Sequence, residues 1–302
     1  MSIVKRAAGR VLFSKRVFEW LQARGIHLLH KNWYSPIPDT AQLAKNNGLW
    51  HYQSAMVGLD VNEQEQRRMV DEIIPRYKEE CKFPLAPTDC PHEYYVNNNL
   101  FGLVSAAVYH CMIRHYKPRT VIEVGAGNST YVAARAMRMN DLADDRLIAI
   151  EPNPNEVLRT GFPGLSELVQ RPVQDVPLSF FERLQDNDLL FIDSSHVVRL
   201  GGDVIYLYLE VLPRLVPGVL VHVHDVYLPG NHPKRWVVDF RHFWTEQYLL
   251  QAFLAFNTAF EVLWSGTYAA TRWPDDLERL LPNPLGQQIN YQSSSFWMRR
   301  CS

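Results

Sequence analysis

An α/β fold, with a doubly wound, mostly parallel seven-stranded sheet and an N-terminal helical accessory region, is the architecture this sequence predicts. Three observations predict it. Short runs such as "TVIEV" (120–124), "RLIAIE" (146–151), "DLLFID" (188–193) and "PGVLVHVH" (217–224) alternate with segments of helical period. Those runs are apolar almost throughout, as strands covered on both faces are. A glycine turn, "GAG" (125–127), follows the first run and opens a helical pattern, which puts a ligand site outside the strands' carboxyl ends.

The remaining elements follow in chain order. "NWYSPIPDT" (32–40) reads as an extended linker because of its two prolines. Residues 62–80 read as a surface helix, with Asn62 as its cap and Glu65 three residues on. The proline-rich "KFPLAPTDCPHEYY" (82–95) marks a boundary, so 1–92 is expected to be an accessory region and 93–302 the main domain. A helix is expected over 100–116. Further strands are expected at 167–171, 259–270 and 293–300, and further helices at 129–138, 155–161, 178–185, 203–214 and 243–256.

Composition bounds the rest. The 302 residues are 47% hydrophobic and 21% charged, which reads as a soluble globular chain. A net charge of −1 gives no field that selects nucleic acid. The four cysteines lack CxxC spacing, which fits a reducing, cytoplasmic setting. Residues 1–34 differ from the rest: Lys5, Arg6, Arg10, Lys15, Arg16, Arg24 and Lys31 stand against one acid, Glu19, with apolar residues interleaved. Two readings stay open there, a helix packed with a solvated basic face or a peripheral contact with the inner face of a membrane.

The glycine turn narrows the ligand. Thr130 stands where the dinucleotide fingerprint has its third glycine, and no lysine follows as a triphosphate cradle requires. Glu123 lies two residues before Gly125. A carboxylate there repels a pyrophosphate and suits a cationic ligand with an ammonium and a sulfonium, which S-adenosylmethionine carries. Glu151, at the end of the second strand, is placed to accept from both ribose hydroxyls.

With these residues in hand, the chain over roughly 95–301 resembles the class I S-adenosylmethionine-dependent methyltransferases. "EVGAGNS" looks like the first motif of that family, "IEPNP" like its acidic loop, "DLLFIDSSH" like its fourth strand and "LVPGVLVHVHD" like its fifth. The two late strands match its reversed hairpin, whose last strand inserts antiparallel. "IDSSH", "VHVHD" and "WTEQYLLQAFL" together look like a bacterial subgroup that tailors sugars, polysaccharides or secondary metabolites. The resemblance implies a Rossmann-like methyltransferase fold, S-adenosyl-L-methionine as cofactor and a small-molecule, sugar or glycan hydroxyl as acceptor. It implies cofactor contacts from Glu123, Gly125, Gly127, Ser129, Glu151 and Asp193. It also implies that Asp175 contacts the adenine and that Asn98 contacts the methionine part, although Asn97–Asn99 also suit a helix cap. Ser129 departs from the family, many of whose members have glycine there; as a good capping residue it implies a different helix start.

Three readings compete at the strand ends. Asp193 and Asp225 match the two acids of metal-dependent O-methyltransferases, but Val226 stands in place of the usual amide, so His196 or His224 would complete a divalent-metal site. Without metal, His196 or His224 would serve as general base, oriented by Asp225. His222, and less so His224, also suits a plain core histidine. His232, Lys234 and Arg235 lie on an expected mobile loop, 226–236, and could meet an anionic substrate. Glu246 and Gln247, in an apolar helix, must either pair internally or face the cleft. Two alternatives to a methyltransferase stand: an NAD(P)-dependent oxidoreductase on a similar sheet, and a non-catalytic, membrane- or partner-binding scaffold.

Overall fold

The computed structural model describes residues 11–281 and 293–302. It divides into two compact units: one holds residues up to Asn47 with Lys234–Phe243, the other Gly48–Pro233 with Trp244–Ser302. The division therefore falls after Asn47 and not after residue 92, because the helical run from Glu63 to Cys81 buries Met69, Val70, Ile73 and Ile74 in the core of the larger unit.

The smaller unit contains the helix Lys15–Gln22, which starts at Ser14, and the helix Thr40–Lys45, which Asp39 caps by accepting from the Gln42 N–H at 3.1 Å. Lys234–Val238 is also helical and packs against Thr40–Lys45. The expected loop over 226–236 thus ends early, and Lys234 and Arg235 open this helix as part of the smaller unit. Among the described residues no helix is long and apolar enough to cross a membrane.

The larger unit is built on β1 (Thr120–Val124), β2 (Arg146–Ile150), β3 (Glu167–Val169), β4 (Leu189–Ile192), β5 (Leu220–Val223), β6 (Phe260–Ser265) and β7 (Phe296–Arg300). They form one sheet in the order β3-β2-β1-β4-β5-β7-β6. Strands β1 to β5 pair in parallel, and β7 inserts antiparallel between β5 and β6. Alternation along each strand feeds two cores. Val121, Leu147, Leu189, Phe191 and Trp297 face the helices Leu103–Tyr116 and Asn128–Asn140. Ile122, Ile148, Leu190, Val221 and Met298 face Val204, Leu207, Tyr208 and Leu250 on the other side.

Some local expectations differ from what the fold contains. Residues 203–214 are a helical run that passes through a π turn at Leu207–Val211. The expected strand over 259–270 stops at Ser265, whose hydroxyl accepts from the Tyr268 N–H and starts the helix Gly266–Arg272. Asn62 does not cap its helix: its backbone is left-handed (φ 50°), and its side chain donates to the Val262 carbonyl at 3.0 Å.

Candidate functional site

The site lies where β1 separates β2 from β4, at the carboxyl ends of the parallel strands. There the two halves of the sheet wind in opposite directions and leave a crevice. Gly125 forms its floor. Its φ is +84°, and a Cβ at this position would lie 1.8 Å from the Asp193 carbonyl oxygen. Only glycine satisfies both the left-handed backbone and that approach. Gly127 is different. Its φ of 178° is extended, and a Cβ there would meet nothing within 4 Å. The space over Gly127 is open, as a turn that a ligand approaches closely requires.

The helix Asn128–Asn140 starts from Gly127, whose N–H donates to the Thr130 hydroxyl at 2.9 Å. Thr130, and not Ser129, supplies the capping side chain. Ser129 is buried in the first turn near Glu123.

Glu123 is completely buried. One of its oxygens accepts from the Tyr109 hydroxyl at 2.8 Å; the other, Oε2, makes no well-formed hydrogen bond, although the Thr130 and Ser129 hydroxyls face the carboxylate. Burial, reinforced by the charge of Asp193, pushes its carboxyl up to about 7, against the pull of the Thr130, Tyr109 and Ser129 hydroxyls. A buried carboxylate oxygen without a well-formed hydrogen bond is costly, and an ammonium group satisfies it. Glu151, half-buried at the end of β2, accepts from the Ala126 N–H at 3.3 Å and the Asn153 N–H at 2.8 Å, so it stands against the same turn. The residues present thus fit a ligand with an ammonium and a ribose.

The Asn98 side chain donates to the carbonyls of Tyr95 and Phe101 and accepts from the N–H groups of Leu100 and Phe101. All four of these bonds close its own loop. It does not cap the next helix, since Gly102 holds that position. Asp175 is exposed in the 3-10 turn Val173–Asp175 after β3.

Beyond β4 and β5, Asp193, His196 and Asp225 converge. His196 Nε2 lies 3.1 Å from Asp193 Oδ1 and 3.6 Å from Asp225 Oδ2. The three donor atoms lie within 4.8 Å of one another, a cluster that could hold a divalent ion. His196 (φ 58°) and Asp225 (φ 56°) both have left-handed backbones, which non-glycine residues rarely adopt outside constrained sites. The Asp193 side chain is 30% exposed and that of Asp225 12%, so the acids open outward while His196, 6% exposed, lies behind them.

Glu246 holds His196 from the rear, accepting from Nδ1 at 2.8 Å. His224 sits deeper, its Nδ1 3.4 Å from Asp225 and 3.6 Å from Asp193. Its Nε2 donates to the Ser294 hydroxyl at 3.3 Å, and that hydroxyl donates to Asp225 at 2.9 Å. Ser294 arrives because β7 runs antiparallel to β5, which sets Phe296 opposite Val223 and the preceding serines at the mouth of the site.

The electrostatics follow from this crowding. Burial opposes ionisation of Asp193, but the His224 and His196 imidazoles outweigh it and hold Asp193 well below the usual carboxylate range. Burial likewise opposes protonation of His196, but Asp193 and Glu246 raise it well above an ordinary histidine. His224 is raised in the same way by Asp225 and Asp193. His222 behaves oppositely. It is fully buried, bonded to the Ser295 hydroxyl at 2.7 Å and stacked on Trp297, and burial depresses it. It is a core histidine. His232 is buried too and depressed by burial to about 4, so it is neutral and does not act as a cationic clamp for an anionic substrate. Gln247 pairs internally, accepting from the Tyr227 N–H and donating to the Gly230 carbonyl.

Residues 122–226 match the model of a family described as a methyltransferase domain. An uncharacterized protein of Archaeoglobus fulgidus is 35% identical over 164 residues, which cover 52% of this chain and 73% of that protein. Among solved structures, the O-methyltransferase TomG of Streptomyces achromogenes, involved in tomaymycin synthesis and solved with S-adenosylmethionine, shares 17% identity. That match covers 80% of this chain and 97% of TomG, with a TM-score of 0.41. An O-methyltransferase of Bacillus cereus, solved with S-adenosylhomocysteine, shares 13% identity over 80% of this chain and 98% of its own, with a TM-score of 0.39.

Proposed function

Because the chain belongs to the S-adenosylmethionine-dependent methyltransferases, we propose that it moves the sulfonium methyl to a hydroxyl of a small-molecule, sugar or glycan-linked acceptor. The observation that carries this is the buried Glu123 carboxylate at the end of β1, whose Oε2 makes no well-formed hydrogen bond, with Glu151 accepting from the glycine turn that follows. Glu123 receives the cofactor's ammonium and Glu151 its ribose hydroxyls. Methyl transfer is an in-line displacement with a good leaving group, so the protein's task is to align the acceptor oxygen and help it lose its proton.

Asp193, Asp225 and His196 would hold a divalent cation. Such an ion, when bound, would lower the pKa of an acceptor hydroxyl and fix its position. The cation reading is favoured over His196 as a free general base. Its Nδ1 is closed off by Glu246, and its Nε2 faces the two acids that would share the ion. His224 lies behind the acids and tethers Asp225 through Ser294, so it orients and does not meet the acceptor.

Calorimetry with S-adenosylhomocysteine tests the core of this. The wild type is expected to bind saturably, and Glu151→Ala to bind at least about tenfold more weakly through loss of charge-assisted bonds. No binding by the wild type would refute the assignment.

A cytoplasmic location, with peripheral membrane contact through residues 1–34, completes the reading. Its support is the basic excess of that segment and the exposure of Trp20, Trp33 and Tyr34. In flotation with vesicles of anionic lipid, the full chain is expected to rise and a chain lacking 1–34 to stay down. Equal behaviour of the two would remove the membrane part.

A further inference from the structure

Glu246 has an environment that a structural carboxylate does not need. It is 2% exposed in the first turn of the helix Glu246–Leu254. One oxygen meets His196 Nδ1 at 2.8 Å, and the buried Tyr208 hydroxyl faces the carboxylate from the other side. Removing such a group from water costs several kcal/mol in general, so an apolar residue here would serve stability better.

What the carboxylate secures is the direction of one imidazole. The same helix start grips the His196 loop at three further points. The His196 carbonyl accepts from the N–H groups of Thr245 at 2.8 Å and Glu246 at 3.1 Å, and the Thr245 hydroxyl accepts from the Val198 N–H at 2.8 Å. These contacts keep His196 in its left-handed backbone, and Glu246 then fixes the ring. With Nδ1–H committed to Glu246, Nε2 is turned toward Asp193 and Asp225.

We propose that Glu246 is the positioning residue of the cation site: it locks His196 so that Nε2 becomes a ligand, and so sets a preference for cations that accept nitrogen, such as manganese(II) or zinc(II), over magnesium. This rests on the cation reading of the site. A carboxylate behind a ligating imidazole fixes its tautomer and makes the opposite nitrogen a stronger donor. The Asp193 and Asp225 oxygens alone would make a harder, all-oxygen site.

The test is calorimetric titration of the full chain with manganese(II) and, separately, magnesium. The wild type is expected to bind manganese(II) more tightly than magnesium. Glu246→Leu, which keeps the volume and removes the acceptor, is expected to lose manganese(II) affinity by about tenfold to a hundredfold. Glu246→Gln, whose amide oxygen still accepts from Nδ1–H, is expected to recover most of it. Nitrogen-15 imidazole spectra of the zinc-loaded wild type provide a check that needs no variant: His196 should show a protonated Nδ1 and a ligated Nε2. The opposite tautomer, or unchanged manganese(II) affinity in Glu246→Leu, overturns the role of Glu246 alone. If the wild type and Asp193→Ala both bind no cation, the cation reading fails and this inference falls with it.

Discussion

Gly125→Ala is expected to lower stability by on the order of 3 kcal/mol or more and to abolish cofactor binding. The added methyl has nowhere to go. It needs a left-handed backbone at φ +84° and would overlap the Asp193 carbonyl oxygen at 1.8 Å. Relief requires β1 and β4 to part where Val124 accepts from the Asp193 N–H at 2.8 Å, so the acid ligand and the glycine turn would be displaced together. Gly127→Ala is the matched control. Its methyl enters open space, so stability should change by no more than about 0.5 kcal/mol while affinity for S-adenosylhomocysteine drops. Urea unfolding and calorimetry on the two variants check this. Equal stability losses in both would show that the turn is only structural.

Glu123 carries the second large effect, and its sign is fixed by the direction of its shift. The folded carboxyl is raised from 4.5 to about 7. The stability this confers is therefore fully present below 4.5 and is lost as pH rises through 7, a change of about 3 kcal/mol. Glu123→Gln should remove that slope, leaving the ligand-free variant more stable than the wild type above neutrality. Binding should move the other way. An ammonium needs the ionised carboxylate, so wild-type affinity for S-adenosylhomocysteine should strengthen as pH rises through 7. In Glu123→Gln it should be flat over that window and at least about tenfold weaker. Wild-type affinity that does not vary between pH 5 and 7 would mean that Glu123 does not meet the ligand.

Much of this was legible in the chain because strand ends are legible. A buried parallel strand announces itself by a continuous apolar run, and the polar residue that stops the run marks the crevice. Glu123, Glu151 and Asp193 stand at such strand ends, and the structure places them at the carboxyl ends of β1, β2 and β4. The residues whose jobs were not legible take them from neighbours that no local pattern reveals. Asn98 looks like any loop amide until its four partners are seen. Ser294 reaches the site only because β7 inserts antiparallel beside β5, and no local pattern encodes that register. Glu246 did leave a signal, a lone acid opening an apolar helix, but its partner lies fifty residues away. Residues 62–81 were set apart by a proline-rich stretch, although their buried side chains belong to the main core.

A crystal structure with S-adenosylhomocysteine and manganese(II), the ion located by its anomalous scattering, tests the central claim most directly. The ligand's amino group should lie within hydrogen-bond reach of Glu123 Oε2 and its ribose on Glu151, with the ion between Asp193, His196 and Asp225. A ligand seated elsewhere, or one that leaves Glu123 and Glu151 without contact, would contradict the account.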